Sequence, residues 1–94
     1  MAQLVDIYPS DLGTVELQQL GAARSAIDAV LPFGGYITYE QCRQAVLKSP
    51  KVNPQYADRL TCVVLRQLGN GIGAAFANPV PPGPDGELVF HIQR

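Results

Sequence analysis

Histidine, cysteine and charge are all scarce in this chain. One histidine, His91, and two cysteines, Cys42 and Cys62, occur in 94 residues. Two cysteines far from any histidine do not make a zinc site, so no metal or cofactor is expected and a reduced, cytoplasmic protein is. No apolar run approaches the length of a membrane span. The opening "MAQLVDIYPSDLG" has no basic stretch ahead of an apolar one, which excludes a signal peptide. Enzyme chemistry is not expected either: there is no glycine-flanked nucleophile, and no carboxylate pair falls where a cleft would form. The formal net charge of −1 argues against a chain that binds nucleic acid through bulk charge.

What is present is an ordinary globular composition, 47% apolar and 16% charged. A chain this short forms one domain, burying roughly 60–65% of its unfolded surface without help from disulfides. The small net charge hides a segregation. Residues 1–40 set Arg24 against Asp6, Asp11, Glu16, Asp28 and Glu40, a net of −4. Residues 41–70 set Arg43, Lys48, Lys51, Arg59 and Arg66 against Asp58, a net of +4. Residues 71–94 carry Arg94 against Asp85 and Glu87. The middle of the chain is its electropositive part.

Residues 1–13 read as a lead-in that ends in turn chemistry at "PSDLG". A helix is expected from Thr14, a possible N-cap, to Leu31, with Leu20, Ala23, Ile27, Val30 and Leu31 inward. A second face carries Ala22, Ala26 and Ala29, small enough for another backbone to come close, either within the chain or across a dimer. Pro32 and Gly34–Gly35 end that helix. "YIT" at 36–38 suits a short strand. Thr38 and Gln41 then form a capping box that opens a helix to about Ser49, with Tyr39, Cys42, Ala45 and Val46 inward. Asn53 and Pro54 open a third helix running to Leu68, about 22 Å long, with Gly69 as its C-cap. Ile72, Ala74 and Phe76 alternate, as do Leu88, Phe90 and Ile92, so residues 72–94 read as a β-hairpin around the tip "NPVPPGPDG". His91 falls on the opposite side of that strand from Phe90 and Ile92. "GNGIG" at 69–73 follows a helix and precedes a strand, the reverse of a phosphate loop, and reads as a helix stop and turn.

Helix, short strand at "GYIT", helix, turn, helix and hairpin: this order resembles a winged helix-turn-helix domain. The matching pieces are "GGYITYEQCRQAVL", "NPQYADRLTCVVLRQLG" and "IGAAF…ELVFHIQR", and together they cover residues 14–94. The resemblance implies an α+β fold of three helices and a small antiparallel sheet made by the short strand and the hairpin wing. It also implies that the third helix is the element offered to a partner, commonly the DNA major groove.

On a helical wheel, Tyr56, Ala57, Leu60, Val63, Val64 and Leu68 face the core, leaving Gln55, Asp58, Arg59, Cys62 and Arg66 outward with Leu65 at the edge. Gln55, Arg59, Cys62 and Arg66 would then meet bases, with Arg43, Lys48 and Lys51 on phosphates. A solvated helix face is the alternative. So few cations imply a log–log salt slope of about −4 to −5 per protomer, and hence a homodimer for useful affinity of a DNA-binding regulator. Two features point instead to a protein contact: Asp58 sits among the basic residues, and the tip over 79–86 carries no lysine or arginine. On that second reading the chain is a winged-helix interaction module, a small subunit or accessory factor that docks through Ala22, Ala26 and Ala29 or through the wing.

Overall fold

In the computed structural model, which describes residues 4–82 and 84–94, the helix starts follow local chemistry. Residues 1–3 of the expected lead-in and Gly83 of the expected hairpin tip lie outside the described residues. The Thr38 hydroxyl accepts from the Gln41 amide at 3.0 Å, and the Gln41 side chain accepts from the Thr38 amide at 2.9 Å. This reciprocal box opens helix α3, Tyr39–Leu47. Asn53 likewise accepts from the Gln55 amide at 3.1 Å, starting a single 3-10 turn over Pro54–Tyr56 that runs into helix α4, Ala57–Gly69.

The expected helix over 14–31 is instead two pieces, α1 (Thr14–Gln18) and α2 (Leu20–Asp28). The cap is Gly13 rather than Thr14: its amide donates to the Glu16 carboxylate at 3.2 Å. The break falls at Gln19, whose side-chain carbonyl accepts from the Asn53 amide at 2.7 Å, tying the joint to the turn before α4. Because α2 ends at Asp28, Val30 turns outward and is 45% exposed, while Ala23, Ile27 and Leu31 are buried as expected.

Strands β1 (Tyr36–Thr38), β2 (Phe76–Val80) and β3 (Val89–Gln93) form an antiparallel sheet in the order β1-β3-β2. The α+β architecture is therefore as read from the sequence. Pro79 is tolerated because β2 is an edge strand. The phase of β2 differs from the expected one. Ala75 and Ala77 are buried, whereas Ile72 is 56% and Phe76 37% exposed, since the strand begins only at Phe76. A one-residue change of phase exchanges the two faces of a strand.

Helix α4 is the centre of the molecule. Thr61, Cys62, Val63, Val64 and Leu65 are all buried, and five consecutive residues cover every side of a helix. The sheet contributes Phe90 and Ile92 to the core, α2 contributes Ile27, and α3 contributes Cys42 and Val46. Each large side chain buried in this way contributes about 1.5–3 kcal/mol. Thr61 is accommodated because its hydroxyl donates to the Ala57 carbonyl at 2.7 Å. Past Gly69, the left-handed residue is Gly71 (φ 78°), two residues later than the expected cap.

Two glycines are opposite cases. Gly73 has φ 140°, and a Cβ there would come within 2.7 Å of Leu68 Cδ2 and closer still to the Arg24 guanidinium. Gly21 lies inside α2, and a Cβ there would meet nothing within 4 Å. We expect Gly73→Ala to destabilise the chain by about 1–3 kcal/mol. Gly21→Ala should stabilise it by about 0.5–1 kcal/mol through helix propensity. Urea titrations of both variants check this; equal effects of one sign would contradict the packing described.

Candidate functional site

The expected recognition face of α4 is occupied by the chain itself. Residues 4–16 run across it as a strap. Leu4 and Leu12 pack against the core, and the 3-10 turn over Pro9–Asp11 is closed by the Tyr8 amide on the Asp11 carboxylate at 2.9 Å. Arg59 donates through Nε to Glu16 Oε2 at 2.8 Å and through Nη2 to the Asp11 carbonyl at 2.8 Å. Glu16 is buried, and its hydrogen bond and charge hold the Arg59 guanidinium even more firmly protonated than usual. Arg66 pairs with Asp6, reaches the Tyr8 hydroxyl at 3.4 Å and lies over the Tyr8 ring at 5.2 Å from its centroid.

Other arginines are engaged in the same manner. Arg43 donates to Asp58 and, at 3.1 Å, to Glu40. Both carboxylates raise its pKa, the Asp58 hydrogen bond most. Arg24 bridges α2 to the end of α4 through the Gln67 side chain and the Ile72 carbonyl. Arg94 caps the carbonyls of Asp28 and Leu31 at 3.1 Å each and stacks on Phe33. The acidic first third of the sequence and its basic middle thus meet in Arg59–Glu16, Arg66–Asp6 and Arg43–Glu40. Asp58, which the sequence set awkwardly among basic residues, is the partner of Arg43.

The seven residues expected to read DNA are dispersed accordingly. Gln55 is exposed in the turn before α4. Cys62, expected on the outward stripe, is 5% exposed, with its sulfur 3.7 Å from the Tyr39 hydroxyl. The wheel placed it outward because it divided the helix into two faces, whereas Leu60, Thr61, Cys62, Val63, Val64 and Leu65 are buried all the way round. Arg59 and Arg66 lie beneath and beside the strap, and Arg43 is bonded to Asp58. Lys48 and Lys51 are exposed and, among the described residues, have no side-chain partner. They stand apart from the strap, at a groove of about 680 Å³ between α2 and α3 that Ala22, Ala26 and Ala29 also line. The small-residue face and the two lysines, read separately in the sequence, belong to one surface.

A second surface was not anticipated. By register, Tyr36, His91 and Asn78 lie side by side on the outer face of the sheet, with Phe76, Val80 and Val89 on the same side. Tyr36 is 66% exposed and its ring tilts against His91 at 5.2 Å. No Asp, Glu, Lys or Arg lies within these strands. A short strand with two polar-looking ends gave little sign of this face. Among the described residues no three His, Cys, Asp or Glu are grouped to hold a metal ion, and no helix is long and apolar enough to cross a membrane.

Burial pushes the Cys42 thiol from 9.0 up to about 12. Burial, and then the Cys62 contact, raise the Tyr39 phenol above its usual value. Both groups are acids kept neutral by the fold, so above about pH 9 the unfolded chain releases protons that the folded chain retains. Stability should therefore fall as pH rises from about 9 to about 12 for Cys42, by at most about 1.4 kcal/mol per pH unit. Urea midpoints at several alkaline pH values should show a shallower decline for Cys42→Ala than for the unaltered chain; parallel declines would contradict a buried neutral thiol. No family model, curated protein or solved structure matches the chain.

Proposed function

We propose that residues 14–94 form a winged helix-turn-helix arrangement, and that the protein is a protein-interaction module, a small subunit or accessory factor of a larger assembly. Support for the fold assignment is the succession α2-β1-α3-α4-β2-β3 together with the sheet order β1-β3-β2. A strand between the first two main helices closes onto a C-terminal hairpin, the arrangement that the sequence pattern implied.

One observation carries the functional reading: the face of α4 that would meet a DNA groove is crossed by residues 4–16, and its arginines Arg59 and Arg66 are paired with the chain's own carboxylates. Ion pairs alone would not decide the matter. Surface pairs are worth only about 0.2–1 kcal/mol each, and a run of phosphates competes well for arginine. The covering is the stronger support. Exposing α4 means pulling Leu4 and Leu12 from the core and opening water to Leu65, which forfeits part of about 1.5–3 kcal/mol per side chain. Exposed Phe33, Tyr36, Ile72 and Phe76 lend further support, because apolar surface of this kind suits a protein partner.

Fluorescence anisotropy with a labelled duplex at about 50 mM salt tests the reading. We expect no saturable binding, and no change on Arg59→Ala or Arg66→Ala. Saturable binding with a log–log salt slope near −4 to −5, weakened by either substitution, would overturn it in favour of a DNA-binding regulator.

A further inference from the structure

All five arginines are bonded to acceptors of their own chain, which leaves Lys48 and Lys51 as the two uncommitted cations among the described residues. Both stand on the rim of the α2–α3 groove. Its floor is Gly21, Ala22, Ala26 and Ala29 from one helix and Ala45 from the other, and no carboxylate lines it. Glu40 and Glu87 lie in the adjoining depression beyond Lys48, and Glu40 is already held by Arg43 and by Gln44 at 2.8 Å. The groove is therefore uncharged along its length, apolar except for Ser25 and Ser49, and positive at one end.

Gly21 adds an independent argument. Glycine is a poor helix residue, and nothing in the molecule requires one here, since an added Cβ would meet no atom within 4 Å. A missing side chain on an open groove wall does serve a partner backbone that must come close. The residues 21, 22, 25, 26 and 29 repeat as one helical stripe, so the wall is straight over about 13 Å, the length of a short helix.

We propose that this groove docks an amphipathic helix of another protein, with small apolar side chains against the alanine floor and carboxylates against Lys48 and Lys51. The inference rests on the interaction-module reading above. Helix-in-groove recognition of this kind takes its affinity from the apolar stripe and its orientation from the charged end. The α3 carbonyl terminus, where Lys48 is the cap residue, is negative by its dipole, so the lysines also keep that end of the groove from repelling a carboxylate.

The test uses three constrained helical peptides of about 14 residues with one apolar stripe and flanks of glutamate, glutamine or lysine. Binding is read by anisotropy and by amide NMR shifts of the full chain. We expect the glutamate peptide to bind, with shifts confined to residues 21–30 and 45–51. The glutamine peptide, or the double variant Lys48→Glu/Lys51→Glu, should weaken binding about tenfold, and that variant should prefer the lysine peptide. Gly21→Phe should abolish binding while the chain still melts cooperatively, because the new side chain has open space. Equal binding of all three peptides, or of none, overturns the proposal, as do shifts on the sheet face. Shifts of the same groove residues with protein concentration alone overturn it in favour of a second copy. Shifts of Lys48 and Lys51 with duplex DNA would also overturn it. Peptide failure without duplex binding removes only this groove, whereas duplex binding removes the interaction reading itself.

Discussion

A helix that is apolar on every side needs cover on every side, and the architecture follows from that constraint at α4. The sheet, α2 and α3 cover most of it, Tyr39 of α3 reaching Cys62, and the remaining side holds Leu65 beside Leu4. The chain supplies the missing cover from residues 4–16. Once the strap lies there, its carboxylates are near the arginines of α4. Arg59–Glu16 and Arg66–Asp6 are then consequences of apolar burial as much as causes of the fold. Their direct contribution is small by comparison with the burial they accompany. Their larger effect is on the surface, which they leave without free positive charge at the place where the sequence concentrates it.

Internal neutralisation shapes function by subtraction. A sequence with +4 in its middle third suggests an anionic partner, yet most of that charge closes contacts between elements distant in sequence. The lysines escape because they flank the turn between α3 and α4, away from the strap. Among the described residues, charge held by no carboxylate partner is then Lys48 and Lys51 at one end of one groove, Arg24 and Arg94 on neutral acceptors, and carboxylates such as Asp85 and Glu87. The sheet's outer face carries none. Such a surface suits contacts governed by shape and apolar area, with charge setting orientation and partner choice.

Much of the fold was legible residue by residue. The Thr38–Gln41 box, the Asn53 cap and the alternation of Phe90 and Ile92 each act locally, so their sequence signals survive into the structure. The break at Gln19 was not legible, because a helical pattern continues through it and the cause is a hydrogen bond to Asn53 across the fold. The phase of β2 was misleading because the large Ile72 and Phe76 fall in one phase and only the small Ala75 and Ala77 in the other. The outward placement of Cys62 was the part of the site that failed. A signal for its burial exists in "LTCVVL", where six residues from Leu60 to Leu65 include no charged side chain and circle the helix completely. A wheel that sorts residues into two faces hides that run, since Arg59 and Arg66 at its ends define an outside that the middle lacks. The partner of such a helix had to be sought in the lead-in, where Leu4 and Leu12 flank a stretch whose one regular element is a single 3-10 turn.

The covering of α4 is open to direct measurement through its own cysteine. In the native chain, labelling of Cys62 by a thiol reagent should be as slow as that of Cys42 and should accelerate with denaturant in step with global unfolding. Rapid labelling of Cys62 under native conditions, while Cys42 stays protected, would show that α4 is open on one side and would contradict the account.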